Sequence, residues 1–132
     1  MSQLNFDKFT RGYIDCALWS SSVGSEYATA NGCADDTSLQ NAGFSADDLS
    51  LETRAQIIEE CARFQAQNVD ALDCAGDPSQ NGHDYWLTRN HHGTGFWDRG
   101  YPEPVSKALT DAAHADGERD LYVADDGLIY QA

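Results

Sequence analysis

The segment from Gly82 to Gly100 concentrates the side chains that could do chemistry. It holds three of the four histidines and two of the three tryptophans, together with Asp84, Arg89, Asp98 and Arg99, so a site in this chain belongs here. His83 beside Asp84 could perform acid–base work, and Arg89 could hold a phosphate or carboxylate. Adjacent His91 and His92 could join a carboxylate around a metal ion. If the chain is an enzyme, its candidates are His83, Asp84, Arg89, His91 and His92. A ligand-binding surface would draw instead on Trp86, Arg89, Trp97, Asp98 and Arg99. No H-x-x-x-H spacing and no recognisable nucleophile supports either chemistry, so no catalytic residue, metal or cofactor is assigned. The plainer alternative, which we prefer, pairs Asp84 with Arg99 as a structural ion pair and gives the tryptophans to the core or an interface. Arg89 is the least decorative of the set, because it lies among Tyr85, Leu87 and Phe96.

These residues need an element to position them, and the pattern predicts a β-hairpin. With residues 90–93 as its loop, Arg89 pairs with Thr94, Leu87 with Phe96 and Tyr85 with Asp98. Trp86 then meets Trp97 and Asp84 meets Arg99 on the other face, both favourable cross-strand pairs. A first helix starts near Asn5, with Leu4 stapled to Phe9. Its apolar stripe is Phe6, Phe9, Tyr13 and Cys16 or Ala17; Gly12 weakens it and it fades near Trp19. Residues 20–46, rich in Ser, Gly, Asn, Asp and Ala, predict a long irregular loop. Asp35 and Asp36 lack the spacing of a calcium loop.

Ser50 opens the longest helix, from Leu51 to Leu72. Ile57, Ile58, Cys61, Phe64, Val69 and Leu72 supply its buried side, and Glu52, Glu59, Glu60, Asp70 and Asp73 its acidic outer side. A third helix follows Pro102 and Pro104, with Val105, Ala108, Leu109 and Ala112 as its stripe, a surface His114 and a stop at Gly117. Residues 121–130 read as a second hairpin turning at Asp125-Asp126-Gly127. Val123 then lies near Ile129, and Tyr122 and Tyr130 are cross-strand partners. The expected fold is a single α+β domain over 1–132, an antiparallel sheet of two β-hairpins packed by about three helices.

Charge sets the partners. Twenty-two acidic residues face eight basic ones, a net of −14, and residues 26–77 alone carry eleven acids against Arg54 and Arg63. Such a field opposes direct nucleic-acid binding and favours a protein with a basic surface. The expected contact residues are Asp47, Asp48, Glu52, Glu59, Glu60, Asp70 and Asp73. No apolar run reaches membrane-span length, and the start of the chain lacks the pattern of a secretory signal, so a cytoplasmic protein is the expectation. Cys16, Cys33, Cys61 and Cys74 show no C-x-x-C spacing. Cys16 and Cys61 fall on apolar helix positions and read as inert packing rather than zinc ligands or a nucleophile.

Two longer motifs carry a resemblance. Residues 82–90, with Gly82-His83-Asp84-Tyr85-Trp86-Leu87-Thr88-Arg89-Asn90, and residues 93–100, ending Phe96-Trp97-Asp98-Arg99-Gly100, are similar to a family of small acidic proteins common in phages and prophages. Its members tend to carry GHDFWLTRN, Gly-x-Gly-Phe-Trp-Asp-Arg-Gly and a C-terminal Asp-Asp-Gly turn. Ala17-Leu18-Trp19-Ser20-Ser21 resembles its N-terminal signature. Tyr85 stands where Phe is more usual, and His91-His92 where one His follows a varied residue. The similarity spans most of the chain outside residues 22–46. It implies a genomic setting, a phage in a bacterial host, and no mechanism. Joined with the charge, it makes the expected function that of an interaction protein countering host defence, of anti-restriction or anti-CRISPR type, whose acidic face imitates a phosphate backbone. The alternative is a small enzyme or small-molecule binder using residues 82–100.

Overall fold

A computed structural model describes residues 6–92 and 94–132. The chain forms α1 (Lys8–Ser20), α2 (Ser25–Asn31), α3 (Leu51–Gln67), α4 (Val69–Ala75), α5 (Pro78–Arg89), α6 (Val105–Ala115), β1 (Leu121–Val123) and β2 (Ile129–Gln131). Among the described residues the only sheet is the β1–β2 ribbon. The expected sheet of two hairpins is therefore wrong, and the fold is helical with one terminal ribbon. No helix among the described residues is long and apolar enough to cross a membrane.

The error lies at residues 84–99. Residues 78–89 are helix α5, started by Asp77, whose carboxylate accepts from Ser79 N at 3.0 Å, and by Pro78 in the first turn. Every residue from Asp84 to Arg89 is buried. A helix covered on all sides has no polar face, so its sequence shows no 3.6-residue period. After Asn90 the chain folds back over α5. Phe96 N donates to Thr88 Oγ1 at 3.1 Å, and a 3-10 turn spans Phe96–Asp98. Trp86 and Trp97 do not pair: Trp86 is 3% exposed and packs edge-on against Tyr13 at 5.3 Å, whereas Trp97 is 51% exposed.

Helix α1 meets α5 closely through two glycines. A methyl group at Gly12 would overlap the Ser79 carbonyl, and one at Gly82 would overlap the Phe9 carbonyl. Gly12, read from sequence as a weakness in α1, is what lets the two backbones touch. The helix is capped by Asp7, which accepts from Thr10 N at 2.7 Å; Asn5 and the Leu4 staple lie outside the described residues. Phe9, Tyr13, Cys16 and Ala17 are buried as the stripe predicted.

Residues 20–46 are not one irregular loop. Leu39 N bonds Ser21 O at 2.8 Å and Val23 N bonds Thr37 O at 2.9 Å, closing a folded excursion that contains α2. Val23, Ala28 and Leu39 anchor it in the core.

Ser50 caps α3 through Thr53 N at 3.1 Å. The expected single helix to Leu72 breaks at Asn68. There the side chain donates to Phe64 O at 2.8 Å and takes a carbonyl from the helical ladder. Ile57, Cys61, Phe64 and Leu72 are buried, but Ile58 and Val69, expected inside, are 48% and 53% exposed. Phe64 stacks on Tyr85 with ring centres 4.1 Å apart, joining α3 to α5, and Phe96 stacks on Phe64 at 6.0 Å.

The C-terminal ribbon has the expected register, with Val123 opposite Ile129 and Tyr122 opposite Tyr130. It docks on α3 through Ser50 N to Ile129 O and Gln131 N to Thr53 Oγ1, both 2.9 Å.

Candidate functional site

Helix α5 places its polar residues in two separate ion clusters. Arg89, 1% exposed, points into the core. Its Nη1 donates to Glu60 Oε1 at 2.6 Å and to the Tyr13 hydroxyl at 3.2 Å. Nε donates to Gly117 O at 2.8 Å and Nη2 to Asp116 O at 3.1 Å. The guanidinium also lies 4.9 Å above the Tyr85 ring. Four of its five N–H donors are spent inside the fold and the side chain is closed off from solvent, so Arg89 does not face a site where a substrate anion could bind.

Glu60 corrects the sequence reading most sharply. Expected on the acidic outer side of α3, it is 5% exposed. Its second oxygen accepts from Arg119 Nε at 3.0 Å and Nη2 at 2.5 Å. Burial pushes its pKa up, but the hydrogen bonds and charges of Arg89 and Arg119 outweigh that and hold it below the usual value. Burial, the largest influence, raises the Tyr13 pKa. The Tyr13 hydroxyl donates to Gln131 Oε1 at 2.9 Å, tying β2 to the cluster.

The second cluster surrounds Asp84, which is fully buried. Arg99 grips it with Nε at 3.0 Å and Nη2 at 2.7 Å, and Gln80 Nε2 donates at 3.1 Å. The Asp84–Arg99 pair expected across two strands is thus present, but between a helix and its returning loop. His83 stacks beside Trp19 with ring centres 6.5 Å apart, and its Nδ1 lies 3.9 Å from Asp84. Burial holds the His83 pKa below its ordinary value, with Arg99 adding to that and Asp84 opposing it.

The remaining candidates are scattered. His91 is exposed and stacks on His114 at 4.3 Å. His92 is exposed at the rim of a cleft of about 650 Å³, which Ser20, Trp86, Asn90, Arg119 and Tyr122 also line. Trp97 and Asp98 are exposed, Asp98 accepting from Thr94 Oγ1 at 3.2 Å. The five residues named as possible catalysts therefore do not converge. Among the described residues no group of three His, Cys, Asp or Glu side chains is placed to hold a metal ion.

The acidic set divides differently. Asp47, Glu52, Glu59, Asp70 and Asp73 are exposed. Asp48 is half-buried and caps its own turn, accepting from Ser45 N at 2.8 Å. Sequence reasoning did not name Tyr13, Arg119, Asp116 or Gln131 as parts of the Arg89 cluster. They reach it from 27 to 76 positions away from Arg89 or from 59 and 71 away from Glu60, with no local pattern to announce them.

The sequence matches no protein-family model, and it matches no curated protein and no solved structure.

Proposed function

We propose that this chain is an acidic interaction protein that occupies a basic surface of a host nucleic-acid-binding or defence protein, in the manner of a phosphate-backbone mimic. One observation supports the reading above the rest. Eighteen of the 22 acidic residues are exposed, while Arg89, Arg99 and Arg119 spend their charge on Glu60 and Asp84 inside the fold. Arg54 is held by the carbonyls of Leu49 and Asp47, and Lys107 pairs with Asp111. Lys8, Arg11, Arg54 and Arg63 are left to offset the outer field, because the carbonyls that hold Arg54 do not cancel its charge. Such a surface attracts Lys- and Arg-rich sites and repels nucleic acid. The phage setting rests on the sequence motifs, and the partner is defined by its chemistry alone.

The enzyme alternative has little left to build on. Arg89 and Asp84 are buried and engaged by internal partners, His83 adjoins Asp84 but not Arg89, and His91 and His92 are exposed on the surface.

The test is capture of bacterial proteins on the purified chain, followed by a variant with Glu52→Gln, Glu59→Gln, Asp70→Asn and Asp73→Asn. The wild type should hold a nucleic-acid-binding protein that high salt releases. The variant should remain folded and lose that partner, because exposed charges contribute little to stability. Unchanged capture and unchanged protection of a phage by the variant would reject the reading.

A further inference from the structure

Helix α3 has two apolar faces, and the fold uses one. Thr53, Ile57, Cys61 and Phe64 face the core. On the opposite side Leu51 is 78% exposed and Ile58 48%. Ala55, Ala62 and Ala66 are exposed as well. Residues 51, 55, 58, 62 and 66 recur every three or four positions and so form one stripe, and exposed Val69 at the start of α4 borders a shallow hollow with Ala66 at its end. In an outer surface otherwise dominated by carboxylates, a continuous apolar stripe marks a contact.

We infer that this stripe docks on the same stripe of a second copy of this chain, the two α3 helices running antiparallel about a two-fold axis beside Ile58. The flanking charges carry the choice of occupant. Glu52, Glu59 and Arg63 all lie on one edge of the stripe, because each follows it by about a quarter turn. A two-fold axis perpendicular to both helices sets that edge against the same edge of the partner, with the direction reversed. Residues 52 and 63 are then opposite one another, so Glu52 meets the second copy's arginine and Arg63 meets its glutamate, two attractive pairs set against the single approach of Glu59 to its own copy near the axis. Both side chains are exposed, and neither has an ion-pair partner among the described residues. The alanines between Leu51 and Ile58 and beyond let two helices approach within the usual 8–10 Å spacing, roughly.

The stripe is about 25 Å long at 1.5 Å per residue, and one helix face gives less than the roughly 800 Å² per partner of a standard stable interface. Each copy also carries −14. Self-association is therefore concentration-dependent, and salt strengthens it by screening the mutual repulsion. Binding to a basic host protein has the opposite salt dependence, so salt distinguishes the two although Glu52 takes part in both.

Sedimentation equilibrium of the purified chain from micromolar to millimolar concentration tests the inference without any host partner. The expected result is a rise from 14.5 kDa towards twice that mass, larger at high salt. Ile58→Glu should weaken association by at least about tenfold while the circular dichroism stays unchanged, because the side chain is exposed. Glu52→Arg and Arg63→Glu should each weaken it, and the double variant should recover the wild-type constant. A chain that stays monomeric throughout overturns the proposal. So does a dimer indifferent to Ile58→Glu, or a double charge swap that fails to recover. An Ile58→Glu variant that loses only a captured host protein would assign the stripe to that protein instead.

Discussion

Arg89 Nη1 donates to Glu60 Oε1 at 2.6 Å, across 29 positions of sequence and inside the core. This bond joins α5 to α3, and Arg119 on the far oxygen joins both to the segment leading into β1. The residue that looked most like an anion-binding arginine is the internal tie of the fold.

Arg89→Ala should therefore destabilise the chain by about 3–5 kcal/mol, as removal of one partner from a buried ion pair does. Arg89→Lys should not rescue it. A lysine has one ammonium where the guanidinium serves Glu60, Tyr13 and two backbone carbonyls. Urea unfolding measures both variants. A loss below about 1 kcal/mol for either would mean the cluster relaxes to take solvent.

Acid should remove the Glu60 contribution first. Its carboxyl ionises below the ordinary value of 4.5 in the folded chain and at that value when unfolded. As the pH falls, the unfolded state takes up the proton earlier. The stabilisation is complete above pH 4.5 and is lost as the pH drops through the lowered folded value. The stability gap between wild type and Glu60→Gln should narrow through that acid window. A gap that is constant from neutral pH into acid would remove Glu60 from the account.

Gly82→Ala should also destabilise, against the helix propensity gain of roughly 1 kcal/mol that alanine ordinarily brings. The added methyl meets the Phe9 carbonyl, a backbone atom that cannot swing aside. Separation of α1 from α5 should cost about 1–3 kcal/mol or more. A variant as stable as the wild type in urea would show that the two helices can part without loss.

The tryptophans should behave oppositely. Trp86, buried with its Nε1 on Ser20 Oγ at 2.7 Å, should lose about 3–5 kcal/mol on truncation to alanine. Trp97, 51% exposed, should lose no more than about 0.5 kcal/mol. Acrylamide should quench Trp97 and Trp19 far more than Trp86. Equal quenching, or equal losses of stability, would restore the pairing that a hairpin requires.

What the sequence determined by itself is local. Ser50 and the spacing of Ile57, Cys61 and Phe64 define α3, because a cap and a 3.6-residue stripe need no distant partner. The Asp125-Asp126-Gly127 turn sets the Val123–Ile129 register in the same way. The Asp84–Arg99 pair was legible as a pair, though not as a helix-to-loop contact. The tertiary structure alone decided the rest. Residues 84–89 form helix rather than strand because α1, α6 and the returning 96–98 turn pack against them and Phe64 and Glu60 reach them from α3, which erases the period that distinguishes the two. Glu60 is inside because Arg89 and Arg119 arrive from 29 and 59 positions away to neutralise it, and charge pairing at that range leaves no trace in local spacing. Ile58 lies outside because α3 has two apolar faces and can bury only one of them within a single chain, and Val69 lies outside beyond the break at Asn68, where α4 buries Leu72 instead.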